Sequence, residues 1–177
     1  MPTPIAVTAF SPQLIYYWIV AFSVWEAASI YFILKVFNHK TVQEYYREIP
    51  SWVTIGGDFL YSTLIFLTAL ALFAQLQRRA PGSRFANPLW FVPLFVVTQW
   101  AYDLTFATII LRLPKLTRYV DYFQRYIGEV GFGAAFSDSA YVVGWLLVTW
   151  LLIKYVPLQL ATYILIAMLF VWIMWAY

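Results

Sequence analysis

Residues 128–153 read GEVGFGAAFSDSAYVVGWLLVTWLLI. A run of small residues carrying Glu129 and Asp138 leads into an apolar segment without charge. Small residues let helix backbones approach closely in lipid. An acid among them is costly in a bilayer unless it has a partner or a task. The stretch therefore predicts the start of a transmembrane helix with a buried acid. Gly131, Ala135 and Ser139 lie four apart and predict the face against which the other helices pack. Gly56-Gly57 is expected to serve close packing in the same way.

Composition extends this reading to the whole chain. Of 177 residues, 63% are hydrophobic and only 11% charged, with a mean hydropathy of +0.74. Soluble domains hold about 25% charged residues, so a bilayer is the expected solvent. The aromatic share of 21% exceeds what interfacial belts need, and part of it is expected between helices. The absence of Cys excludes disulfides and thiolate chemistry. A single histidine, His39, excludes multi-His metal or haem sites and is expected to meet headgroups in a surface turn. The net charge of +3 is too small to suggest nucleic acid. Basic residues cluster at the ends of apolar segments, so membrane lipids are the expected partners, together with other subunits of a membrane assembly. The first ten residues lack the positive region of a cleavable signal.

Punctuation divides the chain into five spans in one membrane domain, residues 1–177. Ser11-Pro12 starts the first (about 12–36), Pro50-Ser51 the second (51–75) and Asn87-Pro88 the third (88–111). The fourth covers about 131–153 and the fifth 157–175. Pro81-Gly82 marks a turn between spans two and three. Two charged, aromatic segments interrupt this pattern. Residues 113–127 read as an amphipathic interfacial helix; residues 41–49 read either as a second one or as an irregular polar loop. The fold class is thus all-α and polytopic, with about five transmembrane helices and two interfacial helices. Lys and Arg number seven in the two longer loops and four on the other side. That bias favours an outside N-terminus and an inside C-terminus.

Four acids fall inside apolar spans: Glu26, Asp58, Asp103 and Asp138. Each is expected roughly 7–10 residues from the long-loop side, on the order of 10–15 Å deep at about 1.5 Å per residue. Such a layer predicts a polar pocket for a cation, a proton, a lipid head or a cationic solute, with Gln99 in the wall and Glu129 at the mouth. The competing reading satisfies each acid separately. Asp58 and Asp138 would bond neighbouring helices through Ser and Thr, and Glu26 and Asp103 would meet Lys or Arg reaching inward. A third leaves some of them protonated through desolvation. Paired acids would also suit a hard cation such as Mg²⁺ or Ca²⁺, although no spacing forms a metal motif.

Some of these residues carry a resemblance. Gly57-Asp58, then Gln99-x-x-x-Asp103, then Tyr126-x-x-x-x-Gly131 and Asp138-Ser139, occur in an order that resembles a family of small membrane proteins of giant DNA viruses of algae and protists. The resemblance covers about Trp52 to the C-terminus. It implies a viral membrane or virion setting, carries no activity, and marks Asp58, Gln99, Asp103, Glu129 and Asp138 as site positions. Relatives tend to carry His before the second Asp, where this chain has Tyr102, which argues against proton transfer there. Three functions remain open: a structural or assembly component of a membrane complex or virion membrane with a carboxylate-lined pocket, a carrier or channel for a cation, proton or small solute, and a metal-dependent lipid-modifying enzyme.

Overall fold

A computed structural model describes residues 10–35, 40–80, 83, 85 and 87–176. The described residues form helices α1 (Pro12–Lys35), α2 (Lys40–Glu48), α3 (Ser51–Arg79), α4 (Phe91–Arg112), α5 (Arg118–Val130), α6 (Gly133–Tyr155) and α7 (Leu158–Ala176), with a single 3-10 turn at Pro88–Trp90 before α4. Four segments are long and apolar enough to cross a membrane: Pro12–Lys35, Ser51–Arg79, Pro88–Arg112 and Gly133–Tyr155. A shorter apolar helix follows at Leu158–Met174. The chain is an all-α polytopic membrane protein.

Local chemistry explains the boundaries. The Ser11 hydroxyl accepts from the Leu14 amide at 3.1 Å and starts α1. Asn87 accepts from the Leu89 amide at 3.0 Å, with Pro88 following in the first turn. A proline there gives up only an amide that a helix start leaves free anyway. α3 continues past Gln75 to Arg79, whose charge and that of Arg78 suit the negative end of the helix dipole. His39 and the Pro81-Gly82 turn lie outside the described residues.

The two charged segments are both helices, α2 and α5, so the polar-loop reading of residues 41–49 does not hold. α5 starts later and ends later than its sequence pattern suggests. Pro114 disfavours helix before it, and the Thr117 hydroxyl caps the true start by accepting from the Val120 amide at 3.2 Å. Gly131 then ends α5 with a φ of +56°, a backbone that favours glycine. Residues 128–130 thus belong to α5, and Gly131 is a corner rather than part of a packing face.

The core is aromatic and centred on α1. Trp18 is sandwiched between Phe66 of α3, at 3.9 Å between ring centroids, and Trp145 of α6, at 3.8 Å. Its indole nitrogen donates to Thr63 at 3.0 Å, and Trp145 donates to the Trp18 carbonyl at 2.9 Å. Phe73, Phe91 and Phe95 continue the cluster between α3 and α4. α7 joins through Ala161 against Tyr17 and Val20, and the Tyr17 hydroxyl donates to the Val156 carbonyl at 2.6 Å. At Gly144 of α6 the ring of Trp25 from α1 lies against the backbone. Ala135 is buried and Ser139 accepts from Trp100 of α4 at 2.7 Å, so the predicted small face serves α4 in part. Gly56 and Gly57 face open space, and the packing role expected for them is not present.

Candidate functional site

Glu26 is fully buried on α1. One of its carboxyl oxygens accepts from the Tyr141 hydroxyl of α6. Asp58 of α3 accepts from Tyr45 at 2.9 Å and from Tyr46 at 3.4 Å, both supplied by α2. Glu26 interacts directly with Asp58 and Tyr46, so the two carboxyls share one site. Asp103 of α4 forms a neighbouring group. Both of its oxygens accept from the Gln99 amide, at 2.8 and 2.9 Å, and one also accepts from Tyr61 of α3 at 2.9 Å. Asp138 of α6 feels the charges of Asp103 and Asp58. Four acids from four helices therefore belong to one electrostatic neighbourhood.

Their partners differ from the expected ones. Tyrosine hydroxyls and one glutamine amide hold Glu26, Asp58 and Asp103, and among the described residues no Lys or Arg pairs with any of the four. The ion pairs among the described residues instead use Lys115, in the loop before α5, and Arg125 of α5. Arg125 binds Glu44 of α2 in a two-pronged ion pair and also reaches Asp121 at 3.3 Å. The hydrogen bond from Arg125 holds the Glu44 carboxyl below its ordinary range. Glu129 accepts from Thr41, so it ties α5 to α2 and does not join the four acids.

These contacts make α2 and α5 a cap over the acid end of the helices. Its inner face is tyrosine-rich: Tyr45 and Tyr122 are buried and stack at 5.3 Å, with Tyr46, Tyr119 and Tyr126 beside them. A cavity of about 290 Å³ lies between α2 and α5, lined by Glu44, Glu48, Ile49, Arg118, Asp121, Tyr122 and Arg125, and by none of the six predicted site residues. Burial, then the nearby Asp58 charge, pushes the Tyr119 hydroxyl up to about 12. Burial and Asp138 do the same for Tyr126, also to about 12. Tyr45 and Tyr46 are raised further by burial beside Asp58 and Glu26. All four stay protonated, and hence able to donate, at any physiological pH.

The sign for stability follows from linkage. A tyrosine whose folded pKa exceeds its ordinary value of about 10 binds more protons folded than unfolded above that pH. Its contribution is intact below pH ~10 and is lost as pH rises through about 12. Alkaline titration followed by tyrosinate absorbance should show a late group ionising near pH 12, together with release of the cap. Complete ionisation near pH 10 would contradict this packing.

Sequence reasoning passed over the tyrosines. Asp-x-x-Tyr occurs twice, at 58–61 and 138–141. Residues three apart on a helix share a face. Each of these tyrosines serves an acid on another helix, Tyr61 to Asp103 and Tyr141 to Glu26. That repeated spacing was the available signal.

The divalent-metal reading requires several acid or imidazole ligands converging on one ion. Among the described residues no three His, Asp or Glu side chains are so grouped. Compared with protein-family models, characterised proteins and solved structures, the chain matches none.

Proposed function

We propose that this integral membrane protein binds and moves protons or small cations through the carboxyl–tyrosine cluster formed by α1, α3, α4 and α6. One observation carries this reading: Glu26 is fully buried within an apolar helix with one carboxyl oxygen unpartnered, and among the described residues no Lys or Arg pairs with it or with Asp58. Ionisable groups in such positions are costly and mark ion pathways and proton relays. The cap of α2 and α5 would cover the cytoplasmic end, in keeping with the seven-to-four bias of Lys and Arg.

Flux measured in liposomes with an internal pH dye, under an imposed gradient, tests the proposal. Asp58→Asn keeps the size of the side chain and removes its charge. It is expected to lower flux at least tenfold, whereas unchanged flux would remove the cluster from the pathway. A second reading is a structural or assembly component of a membrane complex or virion membrane, as the viral resemblance implies. It is supported by α7, whose residues Leu160, Tyr163, Phe170 and Met174 all face outward. On that reading Asp58→Asn together with Asp138→Asn leaves assembly intact.

A further inference from the structure

We propose that Glu26 and Asp58 form a one-proton site, in which a single hydrogen is held between Glu26 Oε1 and the Asp58 carboxyl. This deepens the proton-handling reading above and rests on it for the site, though not for transport.

The argument is one of donors and acceptors. An ionised carboxylate only accepts hydrogen bonds. Asp58 Oδ1 is served by Tyr45 and Oδ2 by Tyr46. Glu26 Oε2 is served by Tyr141. Glu26 Oε1 is buried and has no hydrogen-bond partner. The Glu26 carboxyl also interacts with Asp58, itself an acceptor, and with Tyr46, whose hydroxyl donates to Asp58 at 3.4 Å. Two acceptors in contact lack one donor between them. A proton taken from solvent onto either carboxyl turns it into a donor to the other. It also lowers the charge of the pair from −2 to −1, where like charges disfavour double ionisation.

Among the described residues, the groups around the pair offer no other source of that hydrogen. They are Tyr45 and Tyr46 from α2, Tyr119, Tyr122 and Tyr126 from α5, and Tyr141 and Asp138 from α6. None is basic. A buried carboxyl oxygen without a donor, on a side chain that interacts with a second carboxyl, therefore points to a proton as the ligand.

Infrared spectroscopy of the full chain in phosphatidylcholine nanodiscs tests this. At neutral pH the protein should show a protonated-carboxyl C=O band that shifts in D₂O. Glu26→Gln and Asp58→Asn should each abolish it, and the surface change Asp121→Asn should leave it. Glu26→Gln supplies an amide donor to Asp58, so it should melt close to the unsubstituted protein, whereas Glu26→Ala should melt lower. Absence of the band, or its survival in both variants, overturns the proposal. So does its disappearance when sodium chloride replaces choline chloride, because the ligand is then a metal cation. Should one variant fail to fold, the other decides. A band with no proton flux would leave the one-proton site standing and remove the carrier reading. Flux with no band would do the reverse.

Discussion

Replacing Trp18 with alanine is expected to cost about 3–5 kcal/mol, the range for truncating a buried tryptophan. The source of that loss differs from a soluble core. Lipid tails are as apolar as the protein interior, so little transfer energy is at stake between them. What is lost is packing. Trp18 fills the space between Phe66 and Trp145 with both ring faces in contact, and it is fully buried. Removing it opens a void shared by α1, α3 and α6, and strands the hydroxyl of Thr63. Thermal unfolding in detergent, read by near-ultraviolet circular dichroism, should show a lower midpoint. The stacked-indole signal from Trp18 and Trp145 should also vanish. Trp18→Phe should recover part of the midpoint but not the hydrogen bond to Thr63. A midpoint unchanged in Trp18→Ala would mean that α1 is not the centre of the bundle.

Much of this architecture was legible in the sequence, for reasons of scale. A bilayer demands long apolar segments, so spans are read from hydropathy alone. Ser11, Asn87 and Pro88 mark starts because unpaired amides at a helix N-terminus need an acceptor or a proline. That Glu26, Asp58, Asp103 and Asp138 sit within apolar helices was likewise readable, since rise per residue converts position into depth. Asp138 lies closer to its helix start than expected because Gly131 turns the chain and α6 begins only at Gly133.

Partners were not legible, because they depend on rotation about each helix axis. In segments apolar on every side, periodicity does not fix that rotation. It decided that Tyr61 reaches Asp103 and that Tyr141 reaches Glu26. Glu129, on α5, accepts from Thr41 of α2. The organising face was misread for the same reason. Composition highlighted Gly131, Ala135 and Ser139, but the glycine with a neighbouring helix's ring packed onto it lies beyond them, at Gly144.

Gly144 accordingly carries the second large prediction. A methyl group at this position would run into the ring of Trp25, with Cη2 at 2.6 Å and Cε2 at 2.9 Å. Real Cβ atoms do not come so close, so α1 and α6 must separate or the indole must leave its place. Trp25 has little room, since its own nitrogen is already buried without a partner. Gly144→Ala should therefore destabilise by about 1–3 kcal/mol, as overpacking does, despite alanine's better helix propensity. The effect should reach the site as well. Trp25 adjoins Glu26 in the chain and packs near Tyr141, whose hydroxyl serves Glu26. Pushing the ring outward pulls on that hydrogen bond. Trp25→Ala provides the control. Combined with Gly144→Ala it removes the clash, so the double variant should be more stable than the two losses summed, by about 0.5–3 kcal/mol of coupling. Strict additivity would show that the ring and the glycine do not touch. Coupling with an unchanged protonated-carboxyl band would show that they touch without setting the position of Tyr141.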